Sequence, residues 1–131
     1  MNIFIAGGAG YIGSACSEYM LDRGHSVTIF DSLVTGHVKA VDPRAKFIRG
    51  DLADRDSLLE IFRKNSFDAI MHFAAFSLVG ESMKDPGKYF RNNLANAINL
   101  ADAAIEGKVK TFVFSSTAAT FGEPKSIPIR E

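Results

Sequence analysis

Little in this sequence would cross-link, charge or anchor the chain. Its 131 residues include a single cysteine, Cys16, so an internal disulfide is excluded. The formal net charge is zero and no basic block occurs, which argues against nucleic acid or an anionic membrane surface as a partner. No apolar run is long enough to span a membrane, and the chain begins with a strand-like segment rather than a signal peptide. We therefore expect a cytoplasmic protein.

Metal ligands are also scarce. The three histidines are His25, His37 and His72, and none has a partner at a spacing typical of a metal ligand set. We therefore predict no metal site. Cys16 shares one predicted helix face with Ile12, Tyr19 and Met20, and we interpret it as a small buried hydrophobe rather than a nucleophile.

Apolar residues, by contrast, make up 47% of the sequence, which is enough for the core of one domain over residues 1–131. Apolar runs predict strands at 3–5, 27–30, 46–49, 68–73 and 111–114. Between them we predict a helix that ends before Gly24, a helix capped by Asp54, and a long helix from about 86 to 106. This alternation predicts a Rossmann-like α/β fold, a doubly wound parallel sheet in the order 3-2-1-4-5 with helices on both faces.

The segment 4–13 joins the first strand to the first helix through a glycine-rich turn. Gly7 and Gly8 permit positive φ in a tight turn, and Gly10 lets the backbone approach a pyrophosphate. Gly13 allows the helix to pack closely on the strand. The start of that helix favours a negatively charged ligand group. The pattern therefore predicts a dinucleotide site, and the alternative is a glycine-rich turn without a ligand.

An acidic residue ends the second strand. Asp31 lies about 20 residues beyond the glycine turn, where a carboxylate can accept both hydroxyls of an adenine ribose. It would repel a 2′-phosphate, and Ser32 and Leu33 follow it with no arginine to receive one. The sequence thus predicts NAD rather than NADP. The alternative is a polar residue that merely ends a strand.

Further segments extend this pattern along the chain. They are GGAGYIGS at 7–14, the segment 30–37, GDLAD at 50–54, HFAA at 72–75, VGES at 79–82, YFRNN at 89–93 and FSSTAATFGEP at 114–124. In this order they resemble the extended short-chain dehydrogenase/reductase superfamily and, within it, the family of UDP-glucose 4-epimerases. The glycine motif is shared by many members, whereas the ordered set is much more specific. The resemblance implies an NAD cofactor and, for a full-length protein, a UDP-hexose substrate.

The resemblance also assigns residues to the cofactor. In this chain they are Gly7, Gly10, Tyr11, Ile12, Gly13, Asp31, Ser32, Leu33, Thr35, Gly36, Asp51, Leu52, Phe73, Ala74, Ala75, Asn92 and Ser115. Tyr11 and Ile12 would bind the pyrophosphate through their backbone, and Asp51 and Leu52 would contact the adenine. An alternative for Asp51 is an ordinary turn carboxylate, because Gly-Asp pairs are common in turns.

Two hydroxyl side chains follow the fifth strand. The resemblance implies a catalytic role for them: Thr117 would hydrogen-bond the reacting hydroxyl of the sugar, and Ser116 would line the site. The alternative is that they cap the next turn. Two other positions depart from the family pattern, because Ser77 stands where many epimerases have lysine and Phe121 stands where tyrosine is usual.

The predicted long helix is unusually rich in a poor helix former. It contains Asn92, Asn93, Asn96 and Asn99. The resemblance assigns Asn92 to the cofactor, whereas for Asn99 we favour a solvated side chain or one packed against a loop. The epimerases tend to form homodimers through this helix, 86–106, so its apolar side chains Leu94, Ile98 and Ala101 could form an interface rather than core.

The catalytic base of the family is not found in these residues. It is a Tyr-x-x-x-Lys pair, in which lysine lowers the pKa of tyrosine, and none of the three tyrosines here is followed by lysine four positions later. The helix that carries the pair, and the nucleotide-sugar domain, would begin after Glu131. We therefore expect the NAD-binding N-terminal part of an epimerase, inactive alone. The alternatives are a relative acting on another nucleotide sugar and a noncatalytic cofactor-binding or assembly module.

Overall fold

The chain folds around one parallel sheet of five strands. The computed structural model describes residues 1–124 and 126–129. The strands are β1 (Asn2–Ala6), β2 (Ser26–Asp31), β3 (Lys46–Arg49), β4 (Ala69–His72) and β5 (Thr111–Phe114). They lie in the order β3-β2-β1-β4-β5, and every neighbouring pair is parallel. The predicted fold class and strand order are confirmed.

Helices connect the strands. They are α1 (Tyr11–Asp22), α2 (Arg55–Lys64), α3 (Val79–Lys84), α4 (Pro86–Tyr89) and α5 (Asn96–Glu106), and a π-helical segment, Phe90–Ala95, joins the last two. The helix predicted from 86 to 106 is therefore continuous but has an unpredicted π-helical centre. Sequence analysis also missed α3 and the 3₁₀ turns Val38–Ala40 and Ala118–Phe121. None of the helices in the described part of the chain is both long and apolar enough to cross a membrane.

Alternate side chains of the central strand enter two separate apolar clusters. Phe4 packs with Phe30, Phe62 and Phe67, at ring-centroid distances between 4.8 and 5.7 Å. This cluster also contains buried residues of α2 and α5. Ile5 points to the other face, where Ile3, Val27 and Ile29 pack beneath α1. Since successive side chains of a strand alternate between faces, β1 has helices over both sides.

The ends of the helices are formed largely as predicted. The Asp54 side chain accepts a hydrogen bond from the Ser57 N–H at 3.0 Å and caps α2. Gly24 follows α1 with φ +76°, the left-handed conformation typical of this position. Asp85 accepts from the Lys88 N–H at 3.0 Å and precedes the proline that starts α4. Local capping chemistry therefore sets these three boundaries.

The predicted inner face of α1 is correct only in part, since Met20 packs on the cluster around Ile5. Gly13 and Ser17 are the buried residues of this helix, whereas Ile12 and Tyr19 are exposed and Cys16 is half-buried. At its start the helix approaches the glycine turn so closely that a Cβ on Gly13 would lie 2.1 Å from the Gly7 carbonyl oxygen. Ser17 satisfies its buried hydroxyl by donating to the Gly13 carbonyl at 2.7 Å.

Candidate dinucleotide-binding site

A cleft of about 420 Å³ opens at the carboxyl ends of the strands, next to β1. In this strand order the connections leave β1 and β4 on opposite sides, which is where open α/β sheets bind ligands. The cofactor-binding residues predicted from the sequence all line this cleft, except Leu33 and Ser115. Its lining also includes residues that the sequence analysis did not assign: Phe30, Val34, Gly50, Phe76, Ser77 and Asn96.

The glycine turn forms one side of the cleft. Gly7 has φ +81°, and a Cβ there would lie 2.6 Å from the Ala74 backbone nitrogen. A Cβ on Gly13 would lie 2.1 Å from the Gly7 carbonyl oxygen, so close helix packing explains this glycine. The prediction for Gly8 is wrong, because its φ is not positive and a Cβ there would instead meet the Ile29 side chain at 2.6 Å.

The start of α1 faces the cleft without a side-chain cap. Gly10 is the N-cap residue, and a Cβ there would approach only the Gly7 carbonyl oxygen, at 3.4 Å. Tyr11, 93% exposed, and Ile12 follow it in the first turn. The uncapped N–H groups and the helix dipole can stabilise an anion. The turn is therefore both open enough and polar enough for a pyrophosphate.

Asp31 is the best-defined polar group of the cleft. The residue is only 8% exposed. Its Oδ2 accepts a hydrogen bond from the Ala9 N–H at 3.0 Å, and its Oδ1 accepts one from the Leu33 N–H at 2.8 Å. Leu33 adopts φ +63° and contributes its backbone rather than a lining side chain. A Cβ on Gly36 would lie 2.8 Å from Asp31 Oδ1. The carboxylate is thus fixed, and each oxygen keeps a lone pair for a ligand.

The loop after β3 forms the neighbouring part of the lining. Asp51 is exposed, and its Oδ1 accepts from the Ala53 N–H at 2.9 Å, so it also has the turn role proposed as an alternative. Leu52 is buried, and its carbonyl accepts from Asn99 Nδ2 at 2.9 Å. Of the two alternatives expected for Asn99, a solvated side chain or one packed against a loop, the structure shows the second.

The loop after β4, from Phe73 to Phe76, forms the opposite wall of the cleft. Phe73 donates its N–H to the Ala6 carbonyl at 2.8 Å, which continues the pairing with β1 for one residue. Further along, the Asn93 side chain bonds both backbone groups of Phe76. Asn92 lines the cleft beside this wall. The unusual number of asparagines in the helix is the sequence signal that could have pointed to these contacts.

The hydroxyl side chains after β5 lie outside the lining of the cleft. Ser115 donates its N–H to the His72 carbonyl at 3.1 Å and extends the pairing of β4 with β5. Thr117 Oγ1 accepts from the Ala119 N–H at 3.3 Å, the capping role given above as its alternative, and Ser116 Oγ lies 3.3 Å from Thr120 Oγ1. All three residues are exposed. The described residues hold no cluster of His, Cys, Asp and Glu suited to a metal ion.

The strand order, the glycine turn and the acid that ends β2 define a dinucleotide-binding protein of the Rossmann class. A model of the NAD dependent epimerase/dehydratase family matches residues 3–131. The chain therefore belongs to that family.

Known relatives agree with this assignment. The chain is 53% identical over 131 residues to a UDP-glucose 4-epimerase of Lacticaseibacillus casei, covering 100% of this chain and 40% of that protein. It is similar to the crystal structure of the Brucella ovis UDP-glucose 4-epimerase in complex with NAD, with a TM-score of 0.92, 40% identity, and coverage of 98% and 39%. For the Bifidobacterium longum enzyme in complex with NAD⁺ and UDP, the TM-score is 0.94, the identity is 31%, and the coverage is 100% and 41%. The chain thus spans about 40% of the length of these relatives.

Proposed function

We propose that this chain binds NAD in the cleft and is the NAD-binding portion of a UDP-glucose 4-epimerase. The observation that carries the proposal is the Asp31 carboxylate. It is buried, held by two backbone N–H groups, and turned into the cleft next to the glycine turn. A fixed anion in that place suits the two hydroxyls of an adenine ribose and opposes a 2′-phosphate.

The remaining lining fits the other parts of NAD. The open face of Gly10 and the uncapped start of α1 suit the pyrophosphate. Asp51 and Leu52 line the part of the cleft near Asp31 and would contact the adenine. The loop after β4, together with Asn92, would contact the nicotinamide half. Bound NAD would be the reversible acceptor of a hydride from C4 of a UDP-hexose, which is the chemistry of a 4-epimerase.

Binding can be mapped residue by residue. NAD added to ¹⁵N-labelled chain should shift the amide resonances of Gly10, Gly13 and Leu52, which line the cleft. The amides of Ser66 and Asp68 are the internal control, since they lie at the amino-terminal edge of the sheet, next to Asn2. Shifts confined to the amino-terminal edge, or none at saturating NAD, would refute the proposal.

We propose further that the 131 residues do not catalyse epimerisation alone. They contain no Tyr-x-x-x-Lys pair, so the proton of the sugar hydroxyl has no base of the kind that the family uses. Thr117 and Ser116 would contribute hydrogen bonds to the sugar but cannot replace that base. The assay is conversion of UDP-galactose to UDP-glucose by this chain with added NAD, and turnover well above the buffer rate would contradict the proposal.

The helical stretch 86–106 is our proposed homodimer interface. Phe90, Leu94, Ile98 and Ile105 are exposed apolar residues along it. A substitution such as Ile98→Lys should lower the dimer fraction in sedimentation velocity because it places a charge in the interface. Tyr19→Lys, at an exposed position of α1, is the control, and an equal effect of both substitutions would argue against this interface.

A further inference from the structure

Asn93 fixes the wall of the cleft from outside. Its Oδ1 accepts from the Phe76 N–H at 2.8 Å, and its Nδ2 donates to the Phe76 carbonyl at 2.9 Å. One side-chain amide therefore satisfies both backbone groups of a loop residue, as a neighbouring strand would. Phe76 lines the cleft and Asn93 does not. Asn93 can thus influence a ligand only through the residues that it holds.

The same amide also orients Asn92. Asn92 Nδ2 donates to Asn93 Oδ1 at 2.8 Å. The Phe76 N–H can only donate, so Asn93 must turn its Oδ1 toward it, and Asn92 must then turn its Nδ2 toward that oxygen. The side-chain oxygen of Asn92 is then left as a free acceptor. Because Asn92 lines the cleft, a ligand hydroxyl can donate to this oxygen. The side-chain amides of Asn93 and Asn92 thus couple the position of the Phe76 loop to the orientation of Asn92.

The backbone around these asparagines is unusual. Both lie in the π-helical segment Phe90–Ala95, in the middle of an otherwise α-helical stretch. Segments of this kind are rare and frequently occur at functional sites. Six residues beyond Asn93 in the same stretch, Asn99 holds the Leu52 carbonyl in the loop on the adenine side. Side-chain amides of one helical stretch therefore hold loops on both sides of the cleft.

The two loops lie on opposite sides of β1 and would face different halves of a dinucleotide. Asp31 ends β2 on one side of β1, and the Leu52 loop follows β3 on that same side. The Phe76 loop follows β4, on the other side of β1. With the adenine ribose at Asp31 and the pyrophosphate at the glycine turn, the nicotinamide half would lie against the Phe76 wall.

We propose that Asn93 is a positioning residue for the nicotinamide half of NAD, acting by holding the Phe76 wall and by orienting the Asn92 amide. This inference rests on the proposed NAD site. It predicts that loss of Asn93 weakens NAD while sparing a ligand that contains only the adenine half.

The test compares NAD with ADP by calorimetric titration of the 131-residue chain. Asn93→Ala should weaken NAD about tenfold, since two hydrogen bonds to the wall and one to Asn92 are lost. The same substitution should change ADP affinity less than twofold. Asn99→Ala is the matched comparison, because it removes an amide of the same stretch on the adenine side and should weaken NAD and ADP in parallel.

A second variant separates positioning from general damage. In Asn93→Asp the ionised carboxylate cannot donate to the Phe76 carbonyl, whereas the protonated acid restores one donor and one acceptor. NAD affinity of Asn93→Asp, relative to the wild-type chain at each pH, should therefore recover as the pH falls from 7.5 toward about 4, the ordinary pKa of an aspartic acid. A merely structural role would make NAD and ADP affinity recover together, so recovery confined to NAD supports positioning, and this arm is decisive even if Asn93→Ala does not fold. In the wild-type chain the Phe76 ring also packs on Tyr89, at 5.8 Å between centroids, and neither substitution removes a ring.

The outcomes distinguish the inference from the proposal beneath it. Wild-type chain that does not bind NAD overturns the NAD site and the inference together. If the wild-type chain binds NAD, and the Asn93 variants keep both the NAD affinity and the ratio of NAD to ADP affinity, the inference alone is overturned. Equal losses for NAD and ADP, with no recovery of Asn93→Asp at low pH, also overturn it.

Discussion

At the scale of single residues, Asp31 combines two tasks in one carboxylate. It fixes the glycine turn through Ala9 and its own loop through Leu33, and it leaves acceptor capacity toward the cleft. The sequence could predict the acid from its distance to the glycine turn. It could not predict the two backbone donors, because they depend on how the loops around the strand ends approach each other.

Asp31→Ala should weaken NAD at least tenfold and reduce the preference for NAD over NADP. The substitution removes the ribose acceptor and the charge that repels a 2′-phosphate. Calorimetric titration with both dinucleotides measures the effect, and Asp56→Ala, an exposed acid in the first turn of α2, is the control. A variant with the wild-type ratio of NAD to NADP affinity would show that another residue reads the ribose.

Two glycines of the turn should respond differently to the same added methyl group. Gly13→Ala should lower the free energy of unfolding by about 2 kcal/mol or more, because the Cβ would lie 2.1 Å from the rigid Gly7 carbonyl. Gly10→Ala should leave stability nearly unchanged, since the nearest atom is 3.4 Å away, yet weaken NAD because the methyl group enters the cleft that it lines. Thermal denaturation and NAD titration of both variants test this pair. Equal losses of stability would contradict the account.

At the scale of secondary structure, β4 ends in a buried histidine. His72 is 3% exposed, lies edge-on to the rings of Phe112 and Phe114, and its Nδ1 has no hydrogen-bond partner among the described residues. Burial lowers the pKa of His72 below its usual 6.5. Just below pH 6.5 the unfolded chain therefore binds more protons than the folded chain, and stability falls as the pH falls.

This pH dependence can be assigned by substitution. Urea denaturation at pH 7.5 and 5.5 should show a loss of stability in the wild-type chain, at most about 1.4 kcal/mol per pH unit from this group. His72→Phe should reduce that loss because it removes the titrating ring from an aromatic environment. His37→Phe, at an exposed loop position, should retain it. An unchanged pH dependence in His72→Phe would assign the effect to other groups.

The helical stretch after β4 shows where sequence patterns stop being informative. Its start at Pro86 and its end before Gly107 follow from local chemistry and are confirmed. The π-helical centre is not encoded in the 3.6-residue periodicity used to predict helices. It accompanies the asparagine bonds to distant loops, which are tertiary contacts. The short helix α3 was missed because none of its residues is buried, so it has no apolar stripe.

At the scale of the whole molecule, the strand order could be predicted because continuous apolar runs and short connections leave few alternatives. The inner face of α1 could not, since it depends on the distance between helix and glycine turn. The same limit applies to Thr117 and Ser116, whose roles toward a sugar remain predictions. Their side chains lie beside a turn after the edge strand β5 rather than in the cleft.

The edge strand predicts self-association. All four residues of β5 are exposed, including Phe112, Val113 and Phe114, and the strand pairs with β4 alone within the sheet. Unprotected apolar edges tend to pair with other chains. Light scattering should therefore show association of the wild-type chain that Val113→Lys reduces, whereas Val38→Lys, at an exposed turn, does not. A wild-type chain that is cleanly monomeric at high concentration would contradict this prediction.

The central claim is that the cleft beside β1 holds NAD and discriminates against NADP through Asp31. Calorimetric titration of the wild-type 131-residue chain with each dinucleotide tests it most directly. We expect saturable binding of NAD near one equivalent and binding of NADP at least tenfold weaker, because a 2′-phosphate would meet a buried carboxylate. Tighter binding of NADP than of NAD, or binding of neither, would contradict it.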